Sequence, residues 1–165
     1  MHKLPGRPNY DTIAAVHTKL KANAASVHST LGGGAHGLLG LALQPGTYTV
    51  LTGQMFILPD NPGPSANVPS GQTAPQIAEL VRDHEAKLKM WKQYIQVEQT
   101  LKQQLISVFD DIYLTSISNR HTGFASLSLL NMLQFLYDTY GDIIPSELED
   151  NDEHMRLPYD PMQPM

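Results

Sequence analysis

The chain contains no cysteine. That excludes a disulfide scaffold, a thiolate zinc site, a cysteine nucleophile and a zinc knuckle. Charge is scarce as well: Asp, Glu, Lys and Arg make up 16% of the residues, against about 25% in a typical soluble domain. Tryptophan occurs once, as Trp91. No apolar run reaches the roughly 18 residues that a membrane span needs. Met1 to Asn9, with two prolines among its charged and titratable residues, does not read as a signal peptide. No Asn-x-Ser/Thr sequon is present. The expectation is a cytoplasmic protein with no membrane contact.

What charge there is lies unevenly. The net charge is −5. Asp142 to Asp160 holds seven acidic residues against a single cation, Arg156, whereas Arg82 to Lys102 is mildly basic. Affinity for nucleic acid depends largely on neutralising phosphates, which this balance supplies poorly. RNA binding is therefore expected to be weak at most.

Hydrophobic residues account for 41% of the 165-residue chain, enough for the core of one domain. Periodicity reads as mainly α: a helical bundle with one long central helix and a Pro/Gly-rich N-terminal half. Residues 1–60 supply a first helix and short apolar segments packed on the rest. Residues 61–73 form a Pro/Gly linker loop, 74–156 the helical core and 157–165 an irregular tail.

The first helix is expected from Asp11, as its cap, to Ala25, with Ile13, Val16, Leu20 and Ala24 on one face. Gly32-Gly33-Gly34 ends regular structure. Leu38 to Leu43 is apolar, and periodicity leaves strand and helical turn both open. Pro45 can open a short helix closed by Gly53. Met55 to Leu58 reads as extended, because Pro59 disfavours helix before it.

Thr73-Ala74-Pro75-Gln76 fits a capping box. Behind it Ile77, Leu80, His84, Leu88, Trp91 and Ile95 step by three or four, and Val97, Leu101, Leu105 and Val108 continue the stripe, slightly rotated. With no Gly or Pro from Gln76 to Phe109, one helix of about 30 residues is expected, with Trp91 largely buried and a bend or change of partner near Val97. A short helix capped by Asp110, a helix from Ser126 to Tyr140 ended by Gly141, and an acidic helix from Pro145 to Met155 complete the expectation.

Four patterns invite a chemical reading. Gly32-Gly33-Gly34-Ala35-His36-Gly37 matches G-x-G-x-x-G, but a helical pattern precedes it and no acidic residue follows near twenty positions on, so a close-packing turn is favoured. The seven histidines include no His-x-x-x-His or His-Glu-x-x-His pair. The acidic tract Glu147 to Glu153 lacks the glycine and glutamate register of a calcium loop. The aromatic residues of the C-terminal half are only weakly interleaved with Lys87, Lys89, Lys92 and Lys102, short of a base-stacking platform. No nucleophile signature is present. These readings favour a non-enzyme with no cofactor, no metal and no small-molecule substrate.

Several segments together carry a resemblance. They are Asn23-Ala24-Ala25-Ser26-Val27, Leu31-Gly32-Gly33-Gly34, His36-Gly37, Leu39 to Leu43, Asn61-Pro62-Gly63-Pro64, Val97-Glu98, Leu101-Lys102-Gln103-Gln104, Tyr140-Gly141 and Tyr159-Asp160-Pro161. In order and spacing, over Tyr10 to Met165, the chain resembles the Gag-like N-terminal region of copia-type LTR retrotransposon polyproteins. The resemblance implies a helical, capsid-like structural protein that self-associates into particles. It departs from a complete Gag in ending at Met165 and in lacking a zinc knuckle and a basic tail. The main alternative is a helical adaptor that binds a host protein through an exposed apolar groove. For self-association the candidate surface is Leu127, Leu130, Met132, Phe135 and Leu136, since apolar residues occupy nearly every angle of that helix.

Overall fold

The computed structural model describes residues 3–142, and within them the chain is mainly helical, with four α-helices and no strand. The expected helix from Pro145 to Met155 and the tail from Leu157 lie outside the described residues.

Helix α1 spans Tyr10–Ser26. Its cap is Asn9, not Asp11. The Asn9 side chain accepts from the Thr12 N–H at 2.9 Å, and the Thr12 hydroxyl oxygen accepts from the Asn9 N–H at 2.9 Å. Two otherwise orphaned donors are thereby satisfied reciprocally. Asp11 sits inside the first turn, where its carboxylate faces the positive end of the helix dipole. The inward face is the expected one: Ile13, Val16, Leu20 and Ala24 are all buried.

The Leu38 to Leu43 run is a 3-10 turn at Leu39–Leu41, tied to α1 by the Leu38 N–H on the Ala24 carbonyl at 3.0 Å. Gly37 makes this approach possible. Its φ is +55°, and a Cβ there would collide with the carbonyls of Ala25 and Val27. Helix α2, Pro45–Thr52, starts on its proline and ends on Gly53 at φ +70°. Its Tyr48 is buried, donates to the Gly32 carbonyl at 2.9 Å, and packs on Phe56. The Phe56 ring in turn lies on Gly40, where no Cβ would fit. The glycine cluster is thus a close-packed turn.

Helix α3 runs unbroken through Ala74–Val108, 35 residues and about 52 Å at 1.5 Å per residue. Gln76 accepts from the Thr73 N–H at 2.9 Å at its start. The expected change near Val97 is a change of surroundings. From Ala74 to Thr100 no side chain is buried, whereas Leu101, Lys102, Leu105 and Val108 are. Trp91, expected largely buried, is only half-buried, because it lies on the part of α3 that precedes the core; the loop 61–73 and its approach lie along that part. That loop follows α3 backwards, with His84 Nε2 3.1 Å from the Gly63 carbonyl.

After Phe109 the expected short helix is two 3-10 turns, Asp111–Tyr113 and Thr115–Ile117. Helix α4 spans Leu129–Tyr140 and is capped by Ser128, whose side chain accepts from the Asn131 N–H at 3.1 Å. The cap is therefore two residues later than Ser126. The core is a single cluster. The inner faces of α1 and α4, the Leu38–Ala42 turn and the end of α3 all contribute to it.

Candidate interaction surface

The five residues expected to form a self-association surface do not lie together on the outside. Met132 and Leu136 are fully buried in the core. Leu127 and Phe135 are half-buried and packed against it, and Leu130 is half-buried. The reason is α1, whose Ile13, Val16 and Leu20 share that core with α4. A short helix apolar on most sides is here sandwiched within one copy of the chain.

His17 closes the α1–α4 contact. Its Nε2 lies 2.7 Å from the Ala42 carbonyl and its Nδ1 3.2 Å from Tyr137 Oη. A carbonyl only accepts, so Nε2 carries the proton and Nδ1 accepts from the Tyr137 hydroxyl. Burial pushes the imidazole below its ordinary value, the Ala42 bond opposes this, and Lys21 adds a further lowering. Burial likewise raises the Tyr137 hydroxyl. Every ring nitrogen has a partner, so this is a tie between elements rather than a reactive pair.

Lys102, counted from sequence among the surface cations, is buried. Its Nζ donates to the Phe124 carbonyl at 3.0 Å and to the Leu127 carbonyl at 2.8 Å. One turn earlier, Glu98 Oε1 accepts from the Leu129 N–H at 3.3 Å. The only sequence signal for this role is the position of Lys102 beside Leu101 and Leu105 on the buried end of the stripe. The cations left along α3 are fewer than the sequence count, and Lys87 is paired with Asp83 at 2.7 Å.

Among the described residues no group of three or more His, Asp or Glu is placed to hold a metal ion. His28, His36 and His121 are scattered through loops. No helix among the described residues is long and apolar enough to cross a membrane.

The outward apolar residues lie elsewhere. Val50 is 89% exposed, Leu51 64%, Met55 70% and Ile57 66%. They occupy the outer side of α2 and the segment after it, whose inward residues Tyr48 and Phe56 hold the glycine turn. Ile77 and Val81, near the start of α3, are exposed as well. Sequence reasoning passed over Val50 and Leu51 because α2 is too short for periodicity to separate its faces. Comparison with protein-family models, with curated proteins and with solved structures finds no match to this chain.

Proposed function

We propose that the chain is a non-catalytic assembly domain, of the capsid-like kind that its resemblance to copia-type Gag regions implies, and that it works by contact with further copies of itself. The observation that carries this reading is the run Val50, Leu51, Met55 and Ile57, four large apolar side chains within eight residues and all mostly in solvent. A folded chain gains by removing such a cluster from water, at about 25 cal/mol per Å² of apolar surface. The inward neighbours Tyr48 and Phe56 already pack on the glycine turn, and no described residue covers the cluster.

Light scattering over a wide concentration range tests the reading. Species larger than a monomer should grow with concentration, and Val50→Asp combined with Ile57→Asp should reduce them while leaving the melting temperature nearly unchanged, because both side chains lie mostly in solvent. A chain that stays monomeric at high concentration and low salt would remove the assembly reading and leave a host-protein adaptor as the better one.

A further inference from the structure

Helix α3 is longer than the core that holds it. Its buried residues begin at Leu101; before that point the segment after α1 meets the helix at Gln93, whose side-chain amide donates to the His28 carbonyl at 3.0 Å, and a loop supports a second flank. On that flank the loop residue Gly63 meets His84, and Asp60 lies near enough to Tyr94 to help raise its hydroxyl above the ordinary range, after burial and Glu98. At 100° per residue, Glu85 and Lys92 project between these two supports, about a quarter turn from His84 on one side and from Gln93 on the other. Both are exposed, and Leu88 lies half-buried between them. These residues border an open depression of about 530 Å³. It shares Gln96 with a second depression, about 380 Å³, which runs between α3 and the end of α1.

The charges on this face have a two-fold pattern. Glu85 and Lys92 are separated by two helical turns, about 10.5 Å, and point in nearly the same direction. An axis perpendicular to the helix, passing between Leu88 and Lys89, exchanges their positions. Two copies related by that axis run antiparallel and set opposite charges against each other twice. A parallel pair would set Glu85 on Glu85 and Lys92 on Lys92. Among the described residues neither is in an ion pair: the pairs there are Lys3 with Asp110 and Lys87 with Asp83.

We propose that this face of α3 docks antiparallel on the same face of a second copy of the chain, with Glu85 of each copy opposite Lys92 of the other. The proposal rests on the assembly reading above and deepens it by naming one of the contacts. Such an interface is isologous and closes on itself. On its own it stops at a dimer, and the exposed residues of α2 supply a second, separate contact for growth. Near the axis the aliphatic stem of Lys89 covers Leu88 of the other copy while its ammonium stays in water. The outer pairs set Val81 against Gln96. The contact is held by exposed charges and a narrow apolar strip, so it should be modest in strength and sensitive to salt.

Sedimentation of the full chain across concentration, at low and at moderate salt, tests this with charge exchange. Glu85→Lys or Lys92→Glu alone places like charges together twice and should weaken dimerisation about tenfold. Glu85→Lys combined with Lys92→Glu restores the pattern and should restore the dimer. Because the chain has no cysteine, Lys89→Cys introduces its only thiol, and bridging of that thiol by a short bifunctional reagent should yield a covalent dimer. Association that neither single exchange weakens, or that the double exchange does not recover, would overturn this interface while leaving the assembly reading in place. A wild-type chain that never associates would overturn both.

Discussion

Lys102 donates to the Leu127 carbonyl at 2.8 Å, from a side chain with almost no access to solvent. The same ammonium holds the Phe124 carbonyl, and Glu98 holds the first N–H of α4. Two side chains one turn apart on α3 therefore fix both the carbonyls before α4 and the amide at its start. The residues after Phe124 are kept in a turn, and the helix begins at Leu129 with Ser128 as its cap.

Lys102→Met keeps most of the stem and removes both hydrogen bonds; the Phe124 carbonyl keeps the Leu127 N–H at 3.2 Å, and the Leu127 carbonyl loses its donor. It should destabilise the chain by about 1–3 kcal/mol, the usual range for an unsatisfied buried group. Urea unfolding of the variant checks this. A loss near zero would mean that water reaches the Leu127 carbonyl.

Stability should fall as the solution is acidified, with His17 as one source. Burial holds its folded pKa below the ordinary value of 6.5. Above about pH 6.5 both folded and unfolded chains carry a neutral imidazole. Below that the unfolded chain takes up the proton first, so stability drops until the folded His17 also becomes charged. His17→Asn should flatten this part of the pH profile, measured as urea midpoints at several pH values. An identical slope in both proteins would assign the acid sensitivity to other groups.

Trp91→Ala should cost about 1 kcal/mol, the centre for ordinary point substitutions. Leu105→Ala, in the fully buried part of the same helix, should cost about 2–5 kcal/mol. The comparison is made by chemical denaturation under one set of conditions. Equal losses at the two positions would show that the first part of α3 is packed as tightly as its end.

Gly37→Ala should be more damaging than Gly34→Ala three positions earlier. The backbone at Gly37 is left-handed, and the added methyl meets the carbonyls of Ala25 and Val27. A loss of more than about 1 kcal/mol is expected. Gly34→Ala, where the nearest atom lies 3.7 Å away, isolates the backbone part of that cost. Thermal melts of the two variants separate strain from collision.

Local signals in the amino-acid sequence determined the helices themselves. The Thr73–Gln76 capping pattern and an uninterrupted apolar stripe suffice for α3, and Pro45 and Gly53 bound α2, because these effects act within a turn or two of the chain. The buried face of α1 was equally legible from its three- and four-residue spacing. The sequence also determined that no thiol chemistry is available. Tertiary structure alone decided which apolar faces are used. The inner side of α4 is covered because α1 lies on it, and Val50 and Ile57 are open because no segment among the described residues covers them. It also decided that Lys102 is a buried donor rather than a surface cation, since its partners lie more than twenty positions away. Periodicity reports that a side chain prefers to leave water. Which neighbour accepts it depends on how distant segments pack, and no local pattern encodes that.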